Sequence, residues 1–84
     1  MNIANAKKMK YIIVNEGLAI LFGEALKHSD VARGFRVESA GFVYIGYDAY
    51  DERFVSSPFG ESVSLGIKSN PESDKIKIDF ILND

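Results

Sequence analysis

The 84-residue chain has no cysteine, which excludes disulfides, thiolate metal sites and cysteine nucleophiles together. It has no run of 18 apolar residues, and its start, MNIANAKKMK, lacks the apolar core of a signal peptide. Both absences predict a soluble, cytoplasmic protein. His28 is the sole histidine, and no spacing sets a Ser-His-Asp order around it, so an ordinary surface or capping histidine is expected. Gly60-Glu61-Ser62-Val63-Ser64 breaks the Gly-x-Ser-x-Gly elbow at its last position, and the glycines fit no phosphate-binding loop. Asp48, Asp51 and Glu52 form Asp-x-x-Asp-Glu, which is not the ligand spacing of a calcium-binding EF-hand. No metal or cofactor is expected. Without a nucleophile and base in register, and with little room for a walled pocket, the chain is not expected to be an enzyme.

What is present points to a folded domain. The chain is 46% hydrophobic with ten aromatic residues, a composition that separates it from disordered segments. A chain of this length buries roughly 60–65% of the surface its unfolded form exposes, so it can build one core. Residues 1–8 show no apolar periodicity and are expected to be a flexible tail, with residues 9–84 a single domain. The net charge of −2 is unevenly spread. Residues 1–46 hold six Lys/Arg against four Asp/Glu, whereas residues 47–84 hold four against eight.

The strongest strand signal is residues 35–47, FRVESAGFVYIGY, apolar on both faces and therefore a central strand. Residues 60–67, GESVSLGI, alternate Val63, Leu65 and Ile67 against Ser62, Ser64 and Gly66, which predicts the pairing partner of that strand. Gly41 falls inside the central strand. Glycine there weakens a strand unless another segment comes close, and Ser39-Ala40-Gly41 suits either a helix crossing that face or a partner's surface. Upstream, MKYIIV reads as a buried strand and Asn15-Glu16-Gly17 as a turn into LAILF. Leu18, Leu21, Phe22, Ala25 and Leu26 also have helical spacing, but Gly23 would cost such a helix about 1 kcal/mol, which favours the hairpin. Residues 24–33 are expected to make short helical turns, with Ser29 as cap and Gly34 as terminator.

Tyr47, Asp48, Tyr50, Asp51 and Glu52 crowd two tyrosines and three carboxylates into a short loop. Loops carry recognition more often than core strands do, and tyrosine contributes contact area at low entropic cost, so these five are the candidate partner-binding residues. Beyond them Ser56-Ser57-Pro58 is expected to interrupt the next strand, with Pro58 at an edge or bend. Ser69-Asn70-Pro71-Glu72 has the form of a capping box with Pro in the first helical turn. A C-terminal helix is expected after it, although KIKIDFIL also alternates as an edge strand would. The fold class is α+β: a small antiparallel sheet of about four strands with one or two short helices. So small a two-sided sheet, with LAILF at an edge, invites a second protomer as a homodimer partner.

Taken in order, KYIIV, LAILF, His-Ser-Asp-Val-Ala, Ser39-Ala40-Gly41-Phe42 and Gly60-Glu61-Ser62-Val63-Ser64-Leu65 resemble a family of small phage and prophage proteins of Proteobacteria. The resemblance spans most of residues 10–74, and in that family the segment after the Ser-x-Pro-Glu element is helical. The loop at 47–57 is longer and more acidic here. The resemblance implies no catalytic residues and implies a phage setting, where proteins this small are often inhibitors of host defence such as anti-CRISPR proteins. The expected function is therefore a non-catalytic interaction protein that binds and inhibits a host defence protein or ribonucleoprotein complex, with the acidic loop meeting a basic surface. The alternative is a small nucleic-acid-binding protein using Lys7, Lys8, Lys10, Arg33 and Arg36, a reading that the overall acidity disfavours.

Overall fold

The computed structural model describes the backbone of residues 3–84 and the side chains from Ala6 onward. A four-stranded antiparallel sheet forms the body, in the order β2-β1-β3-β4. Its strands are β1 (Ile3–Val14), β2 (Leu18–Phe22), β3 (Val37–Asp48) and β4 (Arg53–Phe59). A one-turn helix α1 (His28–Val31) connects β2 to β3, a short ribbon of β5 (Glu61–Ser62) and β6 (Ile67–Lys68) follows β4, and helix α2 (Pro71–Asn83) ends the fold. This is the expected α+β class.

The hairpin reading of LAILF holds: Val14 pairs with Leu18, Ile12 with Ile20 and Lys10 with Phe22. Its turn uses positive φ at Asn15, Glu16 and Gly17, and the Gly17 amide donates to the Val14 carbonyl. The strand before it is longer than expected. Residues 3–8 continue β1, with Lys7 opposite Ile45 and Lys8 opposite Tyr44, because β3 is long enough to offer them a ladder. Met1 and Asn2, the rest of the expected tail, lie outside the described residues.

The central strand is confirmed but its predicted partner is not. β3 pairs with β1 and β4, while residues 60–67 fold back on themselves as the β5–β6 ribbon. The cause is local. Ser62 Oγ accepts the Leu65 amide, and Gly66 at φ 67° lets the chain reverse before alternation can be used in a sheet. β4 runs unbroken through Ser56-Ser57-Pro58, contrary to the expected interruption, and Pro58 is tolerated because β4 is an edge strand.

Each face of the sheet carries a core cluster of its own. Tyr11, Ile13, Ala19 and Val43 meet Ile78 of α2, with Met9, Leu21, Ile45 and Leu82 around them. On the opposite face Ile12, Val14, Phe22 and Ala40 meet Ala32, flanked by Val31, Leu65 and Ile67. α1 is capped by Lys27 with no side-chain bond, so Ser29 is not its cap. His28 is buried, which corrects the surface expectation: Nε2–H donates to the Gly41 carbonyl at 2.8 Å, and the ring sits edge-on between Phe22 and Phe42. Two aromatic rings and a carbonyl facing the sheet draw the imidazole inward.

α2 starts where the sequence places it, but through a different device from the predicted capping box. Asn70 is the cap and Pro71 opens the helix; Asp74 Oδ2 reaches back to the Asn70 amide at 2.9 Å. The same carboxylate accepts from the Tyr11 phenol and, on Oδ1, from Ser39 Oγ at 2.6 Å. Asp74, Tyr11 and Ser39 are all buried. One side chain thus ties the first turn of α2 to the two central strands. Burial first, and the Asp74 carboxylate second, push the Tyr11 phenol above its ordinary range.

That shift has a sign that can be measured. With the folded-state value raised, the neutral phenol supports the fold below about pH 10, where the unfolded chain also keeps its proton. Above that value the unfolded chain loses its proton first, and stability falls by about 1.4 kcal/mol per pH unit from this group. Urea titrations between pH 8 and 11 should therefore show an alkaline decline that is absent, or clearly flatter, in Tyr11→Phe. Identical slopes in the two proteins would refute the role given to the phenol.

The outer rim of β4 is occupied by side chains of α2. Asn83 Nδ2 donates to the Phe54 carbonyl and Asn83 Oδ1 accepts its amide; Asp79 Oδ1 accepts the Ser56 amide and hydroxyl, and Lys75 Nζ donates to the Ser56 carbonyl. Lys75, Asp79 and Asn83 recur every fourth residue and so form one stripe. Pro58 occupies the next rim position and has no amide to offer.

Candidate functional site

The five loop candidates are not equivalent in space. Residues 49–52 form the turn between β3 and β4, and Asp48 closes it: its Oδ1 accepts the amides of Tyr50 and Asp51, at 3.0 and 3.3 Å. Asp48 is buried, so it holds the turn instead of facing a partner. Glu52 takes φ 52°, the left-handed conformation that lets so short a connection close. The consequence is an ordered tip. Tyr50 stands 90% exposed, with Asp51 and Glu52 also exposed beside it.

Tyr47 lies at the base of the same turn, edge-on to Phe54 across the strand pair at 5.1 Å. Phe54 was not legible as a site residue, although its cross-strand position opposite Tyr47 follows once residues 49–52 are read as the turn. Behind it, Arg53 lines a groove of 460 Å³ with Ile76, Asp79, Phe80, Asn83 and Asp84. Ile76 and Phe80 are 73% and 69% exposed on the outer ridge of α2. Comparison with protein-family models, with curated proteins and with solved structures returned no match.

The chain's geometry alone therefore describes the site. Arg53, Phe80 and Asp84 line one groove, Tyr47 and Phe54 pair at the base of the turn, and Tyr50, Asp51 and Glu52 are exposed in the turn itself. Exposed apolar rings in such numbers mark interaction surfaces, and Tyr and Arg are the residues most enriched where binding energy concentrates. The signal for the helical part was the breadth of its apolar arc: Ile76, Ile78, Phe80, Ile81 and Leu82 are more than one buried face can use. Only Ile78 is fully buried.

Among the described residues no three His, Asp or Glu side chains converge as a metal site, and no helix is long and apolar enough to cross a membrane. Asp74, Ser39 and Tyr11 satisfy one another in the core, and the buried His28 nitrogen is engaged with a carbonyl.

The basic residues of the N-terminal half do not form one patch. Arg36 faces Glu16 and Glu38 at 3.9 and 3.7 Å, and Arg33 is exposed beyond α1. Lys8 and Lys10 share a face of β1, whereas Lys7, just before them, belongs to the other.

Proposed function

We propose that the protein is a non-catalytic interaction protein that binds and inhibits a host defence protein or complex through its acidic and aromatic end. The observation that carries this reading is the ordered tip: Tyr50, 90% exposed, is held there by a buried carboxylate at Asp48. A backbone held in place loses little freedom on binding, tyrosine has few rotatable bonds to fix, and Asp51 and Glu52 beside it favour a basic partner and speed encounter. The phage setting comes from the resemblance of KYIIV, LAILF, Ser39-Ala40-Gly41-Phe42 and GESVSL to small phage proteins.

The test pairs capture with activity. Tagged native protein should retain a defined complex from host lysate, and Tyr50→Ala should weaken that binding about 30-fold, as loss of a central aromatic anchor does. Asp51→Lys with Glu52→Lys should slow association, most visibly at low salt. Expression of the native chain, and not of these folded variants, should raise phage plating on cells that carry the captured defence system. Equal capture by Tyr50→Ala would place the interface elsewhere, and capture without any change in plating would remove inhibition as the role.

A further inference from the structure

On the sheet face opposite α2, and apart from the acidic end, three rings form a ladder. Phe42 and Phe59 lie 5.9 Å apart at 27°, and Phe59 and Tyr44 lie 5.4 Å apart at 14°. His28 closes the inner end, edge-on to Phe42 at 5.7 Å. The outer end is open: Tyr44 is 46% and Phe59 36% exposed. Two ammonium groups stand over the ladder, Lys8 Nζ 4.9 Å from the Phe42 centroid and 5.9 Å from that of Phe59, and Lys10 Nζ 6.0 Å from Phe42.

The core does not require this arrangement. Cross-strand register sets Lys10 beside Phe42 and Lys8 beside Tyr44, but rings serving only the core would be covered, whereas Tyr44 and Phe59 stay open to solvent. We propose that this face binds single-stranded nucleic acid, with a base extending the stack at Tyr44 and backbone phosphates engaging Lys8 and Lys10. Base faces are exposed in single strands and hidden in a duplex, and every base can stack, so an aromatic ladder with adjacent cations suits unpaired strands of any sequence. A protein partner fits less well because lysine is depleted at the centres of protein interfaces.

Neither lysine is withheld from a phosphate. Lys8 faces Glu24 at 3.7 Å with both side chains well exposed, a surface pair that a phosphate can displace. Lys10 Nζ donates once, to the Leu26 carbonyl at 2.7 Å, which leaves two of its three N–H groups for an anion. With two phosphates neutralised, the logarithm of affinity should fall with the logarithm of salt at a slope of about −1.4, the value for single strands. Binding is thus shallow, salt-sensitive and indifferent to sequence.

The experiment is fluorescence anisotropy of a labelled oligothymidylate of about 12 nucleotides, with amide chemical-shift mapping on isotope-labelled full-length protein. Saturable binding in low salt is expected, at least about tenfold weaker for the matched duplex. Shifts should be confined to the region of Lys8, Lys10, Tyr44 and Phe59. Tyr44→Ala, at an exposed position, should weaken binding about tenfold, and Lys8→Gln should reduce the salt slope by about 0.7. Equal affinity for duplex, equal competition by polyphosphate, or unchanged binding by a folded Tyr44→Ala would overturn the proposal. So would shifts at Tyr44 that grow with protein concentration and not with oligonucleotide, since a second copy would then be the occupant. Unchanged oligonucleotide binding by Tyr50→Ala separates this site from the acidic end.

Discussion

Replacing Asp74 with alanine should lower the melting temperature by about 15 °C, a loss of roughly 3 kcal/mol. A domain of this size has on the order of 5–10 kcal/mol in total, so the variant would sit near the edge of folding. The reasoning rests on what is left behind. Asp74 accepts from the Tyr11 phenol, Ser39 Oγ and the Asn70 amide, and the two side-chain donors are buried. Alanine leaves both hydroxyls without a partner in a dry site and frees the first turn of α2 from the sheet. Asp74→Asn should cost nearly as much. It keeps the shape but has one acceptor oxygen for donors arriving on both sides, and its amide nitrogen would face one of them. Tyr11→Phe and Ser39→Ala remove one donor each and should cost about 1–2 kcal/mol apiece. Urea and thermal unfolding of the four variants would check the series, and a loss below about 1 kcal/mol for Asp74→Ala would show that the carboxylate is not the tie described.

Gly41→Ala should cost about 3 kcal/mol, and Gly41→Val should prevent folding, for a reason unrelated to conformational freedom. A Cβ at position 41 would stand 2.5 Å from the Phe59 carbonyl oxygen and 3.2 Å from Ser69 Cβ. The first obstacle is backbone and cannot rotate away. β4 would have to lift from β3 just where the chain turns through Gly60 toward the β5–β6 ribbon. Gly23→Ala is the matching control, since nothing lies within 4 Å of a Cβ there, and it should be neutral or stabilise by about 0.5 kcal/mol. Equilibrium unfolding of both variants decides the matter; equal stability at the two positions would mean that the β3–β4 contact yields at no cost.

Gly41 also marks how far the sequence could be read. A glycine in the best strand signalled that something comes close, but not what. The segment that does so is the end of β4, at Phe59 and Gly60, brought back only by a turn whose closure depends on Asp48. The hairpin at 9–22 and the helix at 71–83 were legible because both rest on local signals: β-branched runs around a Gly turn, and proline at a helix start. The ribbon at 60–67 was not, since Val63, Leu65 and Ile67 alternate as a strand would. A serine hydroxyl and one left-handed glycine overrule that pattern locally, and no periodicity records them. For the sites, the tip at Tyr50, Asp51 and Glu52 was visible as an unabsorbed acidic and aromatic loop. Asp48 looked the same in the sequence and turned inward because two amides needed its oxygen. The ladder of Phe42, Phe59 and Tyr44 depends on the β3–β4 register, and Lys8 joined it only because β1 extends back past residue 9.

The stripe of Lys75, Asp79 and Asn83 along β4, with Pro58 completing it, leaves β2 as the open border of the four-stranded sheet among the described residues. Backbone hydrogen bonds to another chain are obstructed along β4, so strand addition is left to β2. Two copies joined β2 to β2 about a two-fold axis would make an eight-stranded sheet whose two ends are both capped. Such an assembly would terminate itself: with both outer borders of the joined sheet occupied by α2 side chains, that sheet would have no side left on which to grow.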